Sequence, residues 1–200
     1  MNKEQRRRQV FQEVYKEGLW GKDQQSGFFS GIGSRGDAAD TYVKNVSDVI
    51  RRDAAELGYS PTVIDLGCGD FQVGSALMSR LADVAYVGCD IVPELIAYNN
   101  QNFETDRIGF RPLDIVVDPL PAGDICLVRQ VLEHLPNEEI AGILKRLGHY
   151  KFVYVTEGYP AQRIGPVNPD KAAGPMSGSI GRQGMGEAWN STNPLQHKSR

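Results

Sequence analysis

Two short stretches hold the residue types best suited to chemistry, Val63-Ile64-Asp65-Leu66-Gly67-Cys68-Gly69-Asp70 and Tyr86-Val87-Gly88-Cys89-Asp90. The first is an apolar run that reaches an acid and then a turn with two glycines. A helical stretch separates it from the second, which again ends in an acid. That order describes half of a nucleotide-binding βαβ unit. Gly67 and Gly69 remove the Cβ atoms that would keep a ligand off the backbone, and the helix behind them aims its unpaired N–H groups at the same place. Asp90 stands at the carboxyl end of the second strand, where a carboxylate can accept both hydroxyls of a ribose. The pattern implies a ligand built on a nucleoside.

The glycine spacing selects among such ligands. A dinucleotide fingerprint needs a third glycine three positions after the second, where close helix-to-strand packing lets a pyrophosphate settle on the helix. Gln72 stands there instead. The pattern Asp65-x-Gly67-x-Gly69 resembles motif I of the class I S-adenosylmethionine-dependent methyltransferases, and Asp90 matches the acid that this family uses for the ribose. The resemblance implies S-adenosylmethionine as cofactor on a Rossmann-like α/β fold. An ordinary α/β turn is the alternative that a glycine pair by itself leaves open.

A third element extends the resemblance. Leu113-Asp114-Ile115 closes a third strand; in the resembling family an acid here accepts a hydrogen bond from the adenine amino group, with apolar neighbours packed on the ring. Ala122 to Val128 reads as a fully buried fourth strand and leads into Arg129-Gln130-Val131-Leu132-Glu133-His134-Leu135. The end of this segment is similar to the V-L-E-H-L signature that many small class I methyltransferases carry after strand four, where the loop borders cofactor and acceptor. By this resemblance the cofactor is lined by Asp65, Gly67, Cys68, Gly69, Asp90, Ile91, Asp114, Ile115, Arg129 and Gln130. The competing reading of Glu133 and His134 is a solvated turn entering the next helix.

Methyl transfer asks the protein mainly for geometry, because a sulfonium already activates the methyl group. Donor and nucleophile must be held in line and water excluded, with a base only for an alcohol or a similar weak acid. His134 is the first candidate base on its ordinary pKa, and Glu133 the second. A metal-assisted variant of the family begins the signature with a second glutamate. Gln130 occupies that position, and His149 and His197 are poorly placed as companions, so no metal is expected. The expected reaction is methylation, on oxygen, of a small molecule or sugar-type acceptor. A subunit that binds S-adenosylmethionine or its demethylated product without catalysis is one alternative. A nicotinamide-dependent oxidoreductase is another, opposed by Gln72.

Two helical segments precede this core. Val10, Phe11, Val14 and Tyr15 give an amphipathic helix that Gly18 would end. From Asp37, a plausible cap, to Leu57 a second apolar stripe runs through Tyr42, Val43, Val46 and Ile50 to Gly58. Between them, Leu19-Trp20-Gly21 and Ser26-Gly27-Phe28-Phe29-Ser30-Gly31-Ile32-Gly33-Ser34 combine aromatics with glycines. With Phe11, Tyr15 and Tyr42 this looks like the amino-terminal segment of a group of small bacterial methyltransferases associated with glycan or secondary-metabolite pathways. One reading is a lid over cofactor and acceptor with Trp20 as an apolar wall. The other is a surface loop whose aromatics cover the sheet.

The remaining elements alternate as expected of a doubly wound sheet: helices over Gln72–Leu81, from Pro93, and over Asn137–Leu147 with Ile140, Ile143, Leu144 and Leu147 inward, then strand five over Lys151–Thr156. The parallel order 3-2-1-4-5 follows, with the ligand crevice at the carboxyl ends of strands one and four. From Gly158 onward Gly, Pro, Ser and Asn dominate without a sustained period, so the antiparallel hairpin that completes the family's sheet is expected to be degenerate or absent. The chain thus divides into amino-terminal helices and lid over 1–58, a cofactor-binding core over 59–157 and an irregular tail over 158–200. An uncovered strand edge would invite a second copy of the chain.

Composition narrows the partners. The chain has 200 residues and a formal charge of −3, which suits one domain with a real core and gives no broad basic surface for nucleic acid. Arg6-Arg7-Arg8 and Arg51-Arg52 read as solvated helix faces. No apolar run has the length of a membrane span and the amino terminus lacks a signal-peptide core, so a cytoplasmic protein is expected. Cys68, Cys89 and Cys126 are an odd number, too widely spaced for a zinc ribbon, and read as buried thiols. Cys68 alone lies beside a helix N-terminus, where a thiolate would be favoured.

Overall fold

The computed structural model describes residues 1–158 and 170–175 and the backbone of residues 195–196. The helix α1 (Lys3–Glu17) begins with a reciprocal cap, in which the Gln5 amide donates to Asn2 Oδ1 at 2.8 Å and the Asn2 amide to Gln5 Oε1 at 3.2 Å. Gly18 ends it in the left-handed conformation. Then follow α2 (Gly36–Leu57), β1 (Thr62–Leu66), α3 (Gln72–Met78), β2 (Ala85–Asp90), α4 (Pro93–Phe103), β3 (Ile108–Pro112), β4 (Ile125–Arg129), α5 (Asn137–Arg146), β5 (Phe152–Thr156) and β6 (Leu195–Gln196). Arg35 precedes α2 and makes no side-chain cap; Asp37 instead lies within the first turn, where its charge suits the helix dipole.

The sheet order is β3-β2-β1-β4-β5-β6, with the first five strands parallel. The order 3-2-1-4-5 is therefore as expected. At the far edge Leu195 and Gln196 pair antiparallel with Val155 and Tyr154, so the irregular reading of Leu195 is corrected: the tail does supply a strand, of two residues. Most of the tail read as irregular, Met185 and Trp189 included, lies outside the described residues. No described helix is long and apolar enough to cross a membrane.

Alternation along the strands separates two apolar layers. Ile64, Leu66, Cys89, Cys126 and Val128 face one side, where α1, α4 and α5 contribute Phe11, Val14, Leu95 and Ile143. Val63, Tyr86, Phe110, Ile125, Leu127 and Tyr154 face the other, against Tyr42, Val46 and Ile50 of α2 and Leu77 of α3. Fully burying a large apolar side chain is worth roughly 1.5–3 kcal/mol, so the three buried apolar residues of α1 make that helix part of the core. The α5 stripe is narrower than its sequence suggests. Ile143 is buried and Leu147 just beyond the helix is too, while Leu144 is 48% exposed.

Candidate active site

The glycine turn is fixed from three sides. The amides of Gly67 and Cys68 both donate to Cys89 O, at 2.8 and 2.9 Å, and tie the end of β1 to β2. The Gly69 amide donates to Asp90 Oδ2 at 3.2 Å, and Asn99 of α4 donates to Gly69 O at 2.8 Å. Gly67 and Gly69 both have positive φ, 90° and 56°. A Cβ on Gly67 would stand 2.2 Å from Val131 Cγ2, and one on Gly69 2.3 Å from Ser30 Oγ, so neither position accepts a side chain.

Asp90 is half-buried at the carboxyl end of β2. Its second oxygen accepts the Val92 amide at 3.1 Å. Each oxygen thus retains acceptor capacity for a hydroxyl, which is what a ribose diol requires. Burial pushes this carboxyl up to about 6, against the N–H donors of Val92 and Gly69 that pull it down. Ile91 and Ile115 join the apolar layer on the α1 side of the sheet, beside Leu113 and Val92. A glycine turn without Cβ atoms, an acceptor carboxylate and an apolar wall fit the nucleoside portion of S-adenosylmethionine.

Other expected residues are placed differently. Asp65 is buried beneath the turn and accepts the Tyr86 hydroxyl at 2.7 Å; burial pushes it up to about 6. Asp114 does not close β3, which ends at Pro112, and its carboxylate is taken by Arg7. Arg7 Nε donates to both Asp114 oxygens at 3.1 and 3.0 Å, Nη2 donates to Oδ2 at 2.8 Å, and Nη1 reaches Glu139 Oε1 at 2.6 Å. Arg7 is therefore no part of a solvated face: it is 4% exposed and Asp114 is fully buried. The adenine-binding role expected of Asp114 meets a carboxylate already filled by a guanidinium. Cys68 is likewise corrected, because burial and the neighbouring Asp90 push its thiol well up and disfavour a thiolate.

The aromatic and glycine-rich segment before α2 packs directly on this turn. Ser30 and Asp70 exchange two bonds, Ser30 N to Asp70 Oδ2 at 3.1 Å and Asp70 N to Ser30 Oγ at 2.8 Å, while Arg35 pairs with Asp70 at 2.7 Å. The Tyr15 hydroxyl lies 3.0 Å from Ser30 Oγ. Arg129 donates to Gly33 O and stacks over Tyr42 with its Cζ 4.8 Å from the ring centre. Gln130, at φ 54°, sets its side-chain amide under Gly33. Arg129 and Gln130 thus face Gly33 and α2.

Past Gln130 the chain makes a 3-10 turn, Leu132–His134. His134 is pressed between aromatic rings, 5.1 Å from Trp20 and 6.4 Å from Phe11 centre to centre. Its Nδ1 is buried with no hydrogen-bond partner among the described residues. Burial, with the Lys171 charge nearby, lowers its pKa to about 4, so the ordinary imidazole pKa expected above does not hold. Glu133 moves the other way. Burial and the carboxylate of Glu157 push it up to about 7. Burial also raises Glu157 to about 7, opposed by amide donors from the same turn. Glu157, Arg7 and the Ser30–Asp70 pair were not flagged by sequence reasoning, and only the acid directly after strand five offered a local signal.

Residues 64–150 match the family model described as a methyltransferase domain. Trans-aconitate 2-methyltransferase of Methylobacterium nodulans is 28% identical over 110 residues, which make up 54% of this chain and 40% of that enzyme. Among solved structures, the CurJ carbon methyltransferase matches with a TM-score of 0.55 at 18% identity, over 63% of this chain and 37% of that one. The DszA carbon methyltransferase matches with 0.58 at 14% identity, over 76% and 42%. The chain spans less than half the length of each of these relatives. Residues 64–150 are thus similar to a class I S-adenosylmethionine-dependent methyltransferase domain, on the Rossmann-like fold of these two structures. S-adenosylmethionine is the cofactor of that class.

Proposed function

We propose that the chain transfers a methyl group from S-adenosylmethionine to a hydroxyl of a small-molecule acceptor by direct in-line displacement. The observation that carries this reading is the joint between Gly69 and Asp90, which presents an acceptor carboxylate beside a turn no side chain could enter. The bound donor supplies an activated methyl group on a sulfonium. The residues of the chain do the rest. Asp90 holds the nucleoside through its hydroxyls, Ile91 and Ile115 offer apolar surface to the base, and the lid from Trp20 to Arg35 keeps water from the turn.

Glu133 is the better candidate for the proton of the acceptor hydroxyl. A carboxylate with a pKa near 7 is matched to that task at neutral pH, whereas an imidazole held near 4 is a weak base. His134 serves in this reading as a neutral wall with Trp20 and Phe11. Two carboxylates, Glu133 and Glu157, also favour an uncharged acceptor over an anionic acid such as trans-aconitate, the acceptor named for the relative. Incubation with methyl-labelled donor and a panel of sugars, phenols, carboxylic acids and amines tests the proposal. Label on hydroxyl acceptors supports it; calorimetric binding of NAD but not of S-adenosylhomocysteine overturns it, and donor binding with no labelled product indicates a binding subunit.

A further inference from the structure

Glu157 lies directly after β5, and its carboxylate is occupied by backbone. Oε1 accepts the amides of Val131 and Leu132 at 3.2 and 3.0 Å, and Oε2 accepts that of Glu133 at 3.2 Å. These three amides open a 3-10 turn, where N–H groups have no carbonyl of their own turn to reach. One side chain from the neighbouring strand end therefore satisfies three consecutive donors. Charge-assisted bonds of this kind are the stronger class. The residue just before, Gln130, is held in the left-handed region at φ 54°, and its amide donates to Thr156 O at 2.8 Å. Both ends of the departure from β4 are thus tied to the end of β5.

What the turn carries gives this attachment its meaning. Val131 covers Gly67 so closely that a single added carbon on the glycine would strike it. Glu133 and His134 follow on the same turn, facing Trp20 and Lys171. We propose that Glu157 is a positioning residue: by gathering the amides of Val131, Leu132 and Glu133 it holds this turn against the glycine turn, and so sets Val131, Glu133 and His134 at the ends of β4 and β5. The importance for methyl transfer rests on the function proposed above; the contacts themselves do not.

The chemistry of the carboxylate is specific. Glu157→Gln keeps the length of the side chain but replaces one acceptor oxygen with an NH2 group, which sets donor against donor at Glu133 or at the Val131–Leu132 pair. Glu157→Asp keeps both oxygens on a chain one methylene shorter, which cannot reach all three amides. Neither variant is expected to restore the turn.

Amide hydrogen exchange and calorimetric titration with S-adenosylhomocysteine, both on the full chain, test this. In the wild type the amides of Val131, Leu132 and Glu133 are expected to be protected. In Glu157→Gln their protection falls by about tenfold or more while the amides of β1 and β4 keep theirs, and affinity for S-adenosylhomocysteine drops by about tenfold. Unprotected amides at these three positions in the wild type overturn the proposal without any variant. So does a folded Glu157→Gln protein whose exchange and affinity match the wild type. A wild type that binds no S-adenosylhomocysteine, with the three amides still released in Glu157→Gln, refutes the methyltransferase reading and leaves the positioning role standing.

Discussion

Removing the Arg7 guanidinium should destabilise the protein more than any surface change on α1. Arg7 bridges Asp114, which is fully buried, and Glu139, which is 18% exposed. In Arg7→Met the apolar stem is kept, and the Asp114 carboxylate retains only the Val116 amide at 3.0 Å. Glu139, one of whose buried oxygens has no partner among the described residues, loses its cation as well. Breaking a buried ion pair on one side typically costs about 3–5 kcal/mol, because the remaining charge stays desolvated. For a chain of this size each kcal/mol corresponds to about 2–4 °C, so the melting temperature should fall by about 6–20 °C. Thermal unfolding followed by circular dichroism measures it. Arg7→Met combined with Asp114→Leu should recover much of the loss, since two apolar groups replace the pair. A single variant that melts within about 2 °C of wild type, or a double variant as unstable as the sum of the two singles, would refute the reasoning.

Asp90→Ala should leave the fold intact and weaken S-adenosylhomocysteine binding by about ten- to a hundredfold, the worth of a charge-assisted bond of roughly 1.5–3 kcal/mol; unchanged affinity by calorimetry would show that Asp90 serves another purpose. The same carboxyl, raised to about 6, must be ionised to accept best, so affinity should fall as pH is lowered through 6, and a flat profile between pH 5 and 8 contradicts this. Its effect on the ligand-free fold has the opposite sign: a raised acid contributes stability that is present below its unfolded pKa and lost as pH rises through about 6. Glu133→Gln should lower turnover by about 10²–10⁴-fold and abolish an acidic limb near pH 7, whereas His134→Gln should keep the limb; the reverse pattern would restore His134 as the base.

What could be read from the sequence was whatever depends on near neighbours. The Asp65-x-Gly67-x-Gly69 turn, the acid at the end of β2, Pro93 opening α4 and the glycines ending α1 and α2 all act within a turn or two, and the strand order follows from their alternation. Interactions between distant segments left no local trace. Arg7 meets Asp114 across 107 residues, and Ser30 meets Asp70 across 40. A run of three arginines looks solvated until the middle one is seen to point inward. The electrostatics failed for the same reason: an ordinary pKa for His134 presumes water around it, and the Trp20 and Phe11 rings that exclude water come from elsewhere in the chain.

These distant contacts also rank the parts of the amino-terminal cover by how firmly each is held. The helix α1 is fixed by a buried ion pair and three buried apolar residues, so separating it from the sheet exposes charge and core together. The segment after Gly18 is held chiefly by hydrogen bonds, of Ser30 with Asp70 and Tyr15 and of Gly33 O with Arg129; Arg35 is 29% exposed where it meets Asp70, Ile32 is 68% exposed, and Trp20 donates to Pro175 O at 3.2 Å. Local opening follows the region with fewest buried contacts. Release of residues 19–35 would uncover Gly69 only by breaking the bonds of Ser30 to Asp70 and Tyr15 and of Arg129 to Gly33 O, whereas Arg7 ties α1 to Asp114 independently of them. Two adjoining parts of one segment, divided by the turn at Gly18, are thus held against the sheet by different means, α1 by a buried ion pair and the stretch after it by hydrogen bonds.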